Sequence, residues 1–154
     1  MTTPRKLGLA AAVLFVISHC LPAFGDGSGF ACFQLCWSVL WGQDGEVLAG
    51  GWFYYSGFAI ANILFPVLVV ALFVTRKGRW LRALASVVFL LHVLSWLVLH
   101  VFQSPHEIHK IKIGYYLWLV AYGVLVAAHL RKEPGKSLEA VPIARSSDTP
   151  RMTK

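Results

Sequence analysis

Acidic residues are scarce in this chain: seven Asp and Glu stand against 14 Lys and Arg in 154 residues. None of the seven falls inside a long apolar run. That excludes acid–base or transport chemistry carried by paired intramembrane carboxylates. Charge of either sign is also low, at 14% of residues against 57% hydrophobic and a mean hydropathy of +0.64. A soluble protein of this size with that composition would lack the polar surface to face water. There is no Gly-rich phosphate loop and no G-x-S-x-G elbow, and no internal repeat is evident. No segment outside the apolar runs is long enough for a soluble catalytic domain, so any chemistry belongs to the apolar part or its rim.

What the sequence has is apolar length. Leu7 to Phe24, Trp52 to Thr75, Trp80 to Phe102 and Ile113 to Leu130 are almost free of charge. Each reaches the roughly 18 residues needed to cross a hydrocarbon core about 30 Å thick. Backbone polar groups must be satisfied internally in lipid, and helices of this length do so. The expected fold is therefore all-α, an integral membrane four-helix bundle occupying residues 1–132. Residues 133–154, rich in Pro, Ser, Lys and Arg, read as a disordered tail.

The cations set the expected orientation. Arg5 and Lys6 precede the first run, and Arg76, Lys77, Arg79 and Arg82 lie between the second and third. Arg131, Lys132, Lys136, Arg145, Arg151 and Lys154 follow the fourth. Only Lys110 and Lys112 lie on the other side, with Asp26, Asp44, Glu46 and Glu107. The positive-inside bias then places both termini in the cytoplasm of a bacterial inner membrane, with segments 25–51 and 103–112 outside. The net charge of +7 reads as this bias plus attraction to anionic lipid. No basic stripe interleaved with stacking aromatics points to nucleic acid. Expected partners are membrane lipids and other membrane proteins, or a second copy of the chain.

The first run has a competing reading. Met1 to Lys6, Leu7 to Ile17 and Ala23-Phe24-Gly25 resemble the n-region, h-region and cleavage site of a secretory signal. Pro22 and the polar pair Ser18-His19 are awkward for an h-region, and apolar character continuing to Phe24 favours a retained helix. Between the first two runs, Phe30 to Trp41 is apolar but too short to span, and it reads as a short interfacial helix. Trp37, Trp41, Trp52, Tyr54 and Tyr55 gather near one depth, as an aromatic belt does.

Three constellations carry candidate chemistry. Cys32 and Cys36 lie in the external loop, where an oxidising compartment favours a disulfide. Their four-residue spacing is at the edge of disulfide geometry on a regular helix, so the bond would need an irregular segment. The spacing also departs from the C-x-x-C of thiol exchange centres. Cys20 reads as a small core residue. His92 and Asn62 fall near the middle of the third and second runs and are expected to face each other, either as packing glue or, with His19, as a cofactor or ligand site. His100, His106 and His109 approach a common outer depth, and imidazole is a ligand for transition metals. The H-x-x-H spacing of the last two does not match the H-E-x-x-H of zinc hydrolases. His129 at the end of the fourth run suits a helix C-terminus.

Four runs with an outer cysteine pair resemble the small four-helix thiol oxidoreductases that pass electrons to quinone. The second external segment, however, has no cysteine to complete a relay. Four-helix haem-b cytochromes share the run count and intramembrane histidines, here His19, His92 and His100, whose spacing defines no axial pair. The leading expectation is a small multi-pass plasma-membrane protein acting by helix packing or by binding a partner or ligand. The alternative is a periplasm-facing redox protein, using thiols, haem or quinone, or one holding a transition metal.

Overall fold

The computed structural model describes residues 2–42, 49–75, 78–103 and 105–131. The described residues are all-α and 87% helical. The expected tail at 133–154 lies outside the described residues, as do Asp44, Glu46, Arg76 and Lys77.

Helix α1 runs Thr3–Cys20, with proline in its first turn, where a missing N–H costs nothing. It stops four residues short of the expected end at Phe24. Pro22 is the reason: a proline bars the preceding residue from helical geometry, and Leu21 is extended at φ −95°, ψ 156°. Hydropathy stays high across this boundary while the backbone changes state. Pro22–Phe24 instead forms strand β1, paired antiparallel with β2, Gly27–Ser28. Gly25, at φ +56°, turns the chain between them.

Ser28 then caps α2, Gly29–Leu40, its hydroxyl accepting from the Ala31 N–H at 3.2 Å. Helices α3 (Ala49–Val74), α4 (Arg79–Gln103) and α5 (Ile113–Leu130) follow, with a 3-10 turn at Pro105–Lys110 before the last. From Gly51 to Val74, and along α4 and α5, the chain is long and apolar enough to cross a membrane. Helix α1, with Arg5 and Lys6 inside its first two turns, is not among these.

Helix α5 forms the centre. Within their most apolar stretches, 44% of α5 is buried against 11% of α4, so α4 is peripheral. Helix α1 packs along most of α5, α4 covers another side of it, and α2 lies on α3. A ladder of rings ties three helices together. Phe15 of α1 stacks on Phe65 of α3 at 4.2 Å between centroids, and Phe65 meets Tyr122 of α5 edge-on at 4.9 Å. Two buried tyrosine hydroxyls are satisfied across helices, Tyr122 donating to the Ala61 carbonyl at 2.6 Å and Tyr115 to that of Val93 at 2.5 Å.

At one end of the bundle the two connecting segments are joined by backbone bonds. Phe24 bridges to Ile111, the Gly25 N–H donates to the Lys110 carbonyl at 2.7 Å, and the Lys112 N–H donates to that of Ala23 at 3.0 Å. This hairpin end holds Asp26 and Glu107, while the opposite end holds Arg5, Arg79, Arg82 and Arg131.

Candidate functional site

The hairpin end holds a half-open cavity of about 330 Å³ with contributions from all five helices. Helix α1 presents Ser18 and His19, and β1 presents Ala23 and Phe24. Cys32 and Cys36 come from α2, and Tyr55, Phe58 and Asn62 from α3. Trp96 and His100 come from α4, Glu107 from the 3-10 turn, and Tyr115 and Trp118 from α5. Two glycines let the walls close. A β-carbon on Gly29 would lie 2.5 Å from the Ser18 carbonyl oxygen, and one on Gly114 would lie 2.7 Å from that of Pro22.

The cavity brings together five of the sequence candidates: His19, Asn62, His100, Cys32 and Cys36. His19 Nδ1 lies 2.9 Å from the Phe15 carbonyl, to which its N–H donates. That bond leaves Nε2 as the open ring position. Asn62 Nδ2 donates to the Phe58 carbonyl at 3.0 Å, while its Oδ1 is buried without a partner. Pro66 has no N–H, so it leaves the Asn62 backbone carbonyl without its helical donor as well. Trp118, also in the wall, has a buried Nε1–H with no acceptor. Buried donors and acceptors are usually paired in folded proteins, so these two wall residues carry polar capacity that the protein itself does not use.

His92 lies elsewhere, and the expected His92–Asn62 hydrogen bond is not formed. The His92 ring lies directly over Gly57, among Phe53, Tyr54 and Phe58, and its Nε2 is buried without a hydrogen-bond partner. Helix phase explains the separation. Gly57 and Asn62 are five residues apart and so differ by about 140° around α3, at roughly 100° per residue. A ring seated on the one cannot reach the other.

The proposed metal set also separates. His109 Nδ1 bonds the His106 carbonyl at 2.7 Å, and both residues are exposed. His100 turns toward Trp96, 4.1 Å between ring centroids, with Nε2 3.9 Å from Glu107. Glu107 is held closely by Lys110 at 2.6 Å, and this ammonium, first by hydrogen bond and then by charge, keeps the Glu107 carboxyl below its ordinary pKa. Among the described residues no three His, Cys, Asp or Glu side chains converge as metal ligands.

Cys32 and Cys36 are free thiols, as is Cys20. The expected disulfide required an irregular backbone, but α2 is regular and places the two thiols one turn apart. Burial raises the Cys32 pKa and pushes that of Cys36 up to about 12, from an ordinary value of 9.0. The neighbouring Cys32 adds to the Cys36 shift. Thiolate is the reactive form, so Cys36 is inert near neutrality. Because the folded pKa is raised, the stabilisation that comes from keeping this thiol neutral is complete below pH 9.0 and falls as pH climbs toward about 12. Iodoacetamide at about pH 8, below the ordinary thiol pKa, should modify exposed Cys20 well before Cys36. Denaturation without reductant should then open all three thiols. Peptide mass analysis showing Cys36 alkylated as fast as Cys20 in the folded protein would contradict this.

Sequence reasoning missed the aromatic half of the wall. Tyr115 and Trp118 of the wall stand at helical spacing on one face of α5, continued below the cavity by Tyr122, a signal that could have found it. The architecture fits a helical membrane protein with a cavity at one end. No known protein family, curated protein or solved structure matches the chain.

Proposed function

We propose that this chain is a small multi-pass membrane protein that binds an aromatic small molecule carrying a hydroxyl group in the cavity at its hairpin end. In this reading α1 joins α3, α4 and α5 in a four-helix bundle in a bacterial inner membrane. Both termini are cytoplasmic, the cavity faces outward, and α2 lies at the interface. The positive-inside bias supports that orientation, since Arg5, Arg79, Arg82 and Arg131 share the end opposite the cavity.

The observation that carries the proposal is the composition of the cavity wall. Its 330 Å³ is at the lower end of small-molecule sites, and aromatic walls with few polar groups are typical of such sites. Phe24, Phe58, Trp96 and Trp118 offer faces and edges to an aromatic ring. The wall residues Asn62 and Trp118 have one unmet acceptor and one unmet donor, and a hydroxyl can serve as partner to both. Both atoms are buried, so this reading requires the Asn62 and Trp118 side chains to turn toward the ligand. A thiol relay is the weaker reading, because burial holds both cavity cysteines protonated.

Full-length protein in detergent can be titrated with 4-butylphenol and with its methyl ether, following tryptophan fluorescence. Saturable quenching is expected with the phenol. The ether should bind about tenfold more weakly, because it leaves a buried acceptor unmet. Asn62→Leu should remove that preference. Absence of saturable quenching by either probe, or equal binding of both, would overturn the proposal.

A further inference from the structure

The opposite end of the molecule holds a second recess, and its chemistry differs. A cleft of about 560 Å³ opens among the start of α1, the end of α3, the start of α4 and the end of α5. Arg5, Arg79, Arg82 and Arg131 line it, together with His129, and none of the described residues around it is acidic. The described acids, Asp26 and Glu107, both lie at the hairpin end.

Part of this basic character serves the fold. Arg79 Nε donates to the His129 carbonyl at 2.5 Å, and its Nη2 donates to that of Leu130. These bonds satisfy the open C-terminus of α5. Arg82 donates to the Thr75 hydroxyl and carbonyl, both at 3.0 Å, and Arg5 Nη2 to the Phe73 carbonyl at 3.3 Å, at the end of α3.

Helix capping does not use up the charge or the donors. Carbonyls are neutral, so among the described residues the guanidinium charges of Arg5, Arg79 and Arg131 meet no carboxylate. Two helix N-termini and two C-termini meet here, so the macrodipoles largely cancel and the arginines set the field. A guanidinium has five N–H donors. Arg5 uses one nitrogen on Phe73, and its Nε is buried with no partner. The Arg131 side chain, exposed just beyond α5, bonds to none of the described residues. His129 is fully buried in the same wall. Its Nδ1 is tied to the Leu125 carbonyl at 3.1 Å and its Nε2 is left without a partner. Planar guanidinium forks match phosphate oxygens, and a cationic cleft between apolar helices at a membrane surface suits a lipid phosphate.

We propose that this cleft is a binding site for a phosphate anion, either in the headgroup of an anionic phospholipid of the adjoining leaflet or as free phosphate. Neighbouring Leu72, Phe73 and Val74 give a lipid an apolar surface beside its headgroup, which favours the first source. The site is distinct from the hairpin-end cavity and does not depend on what binds there.

Native mass spectrometry and thermal melting of the full chain in detergent test the proposal. The probes are phosphatidylglycerol, phosphatidylcholine and inorganic phosphate, each added alone. Phosphatidylglycerol should bind at least about tenfold tighter than phosphatidylcholine, and the preference should shrink in about 0.5 M salt, where the screening length is only a few ångströms. Arg131→Gln removes a charge without removing a cap, so it should weaken phosphatidylglycerol binding about fivefold, while Arg131→Lys should retain most of it. Arg5→Gln combined with Arg131→Gln should multiply the loss. Stabilisation by inorganic phosphate equal to that by phosphatidylglycerol would support the anion site and assign it to free phosphate. Equal binding of the two lipids with no response to phosphate would overturn the proposal. So would a folded Arg131→Gln protein that binds phosphatidylglycerol like the parent.

Discussion

Gly114→Ala should lower the stability of the folded protein by about 3 kcal/mol, in the upper range for overpacking. The sign is not obvious from helix propensity. Alanine is better than glycine inside a helix by about 1 kcal/mol, and Gly114 has no positive φ that would require glycine. Packing reverses the sign. A β-carbon here would lie 2.7 Å from the Pro22 carbonyl oxygen and 2.9 Å from those of Leu21 and Ser18. All three are backbone atoms where α1 gives way to β1, so no side chain can rotate aside. The only relief is to move the start of α5 away from the end of α1. That would separate the walls of the hairpin-end cavity and strain the Lys112 N–H bond to the Ala23 carbonyl.

Gly123, on the same helix, supplies the control, because a β-carbon there meets nothing within 4 Å. Gly123→Ala should be neutral or stabilising by up to about 1 kcal/mol. Denaturation midpoints in SDS, followed by tryptophan fluorescence, compare the two. Equal midpoints would show that α1 and α5 do not approach in this way.

The contrast between these glycines marks where the sequence was legible. The three later apolar runs correspond to α3, α4 and α5 within a few residues, because charge-free length alone is the signal for such helices. Phe30 to Trp41 likewise coincides with α2, Gly29–Leu40, since a Gly-rich stretch precedes it and Ser28 caps it. The end of α1 was misjudged because hydropathy reads Leu21 to Phe24 as more of the same. The decisive facts are Pro22 and a strand pairing that extends to Ile111, far along the chain.

Site residues were legible as types more than as a set. Polar side chains in apolar surroundings draw attention to His19, Asn62 and His100, and these three line one cavity. Grouping them with His92 failed on helix phase. His92 and His100 are eight residues apart and so about 80° apart around α4, which seats one on Gly57 and turns the other toward Trp96 and Phe24. In the sequence the arginines read as topological markers and as a general attraction to anionic lipid, not as one site. Nothing local in the sequence announces that Arg79 reaches the last carbonyls of α5, some fifty residues away, or that four guanidinium groups surround one cleft.

Phe65→Ala is expected to have the next largest effect, about 2 kcal/mol. Phe65 is 1% exposed and stands between Phe15 and Tyr122, so its ring joins α1 and α5 through α3. In a water-soluble core the change would cost about 3–5 kcal/mol, part of it from lost transfer out of water. Much of that transfer gain is missing here, because lipid tails solvate a released phenyl ring about as well as the core does. The cavity and the two broken ring contacts remain. At about 24 cal/mol per Å³, an unfilled space of roughly 100 Å³ gives about 2 kcal/mol. Phe65→Leu fills most of that volume and should cost less than about 1.5 kcal/mol. The same SDS titration distinguishes the cases. If the alanine variant melts with the parent, the Phe15–Phe65–Tyr122 ladder is not what couples α1 to the other helices.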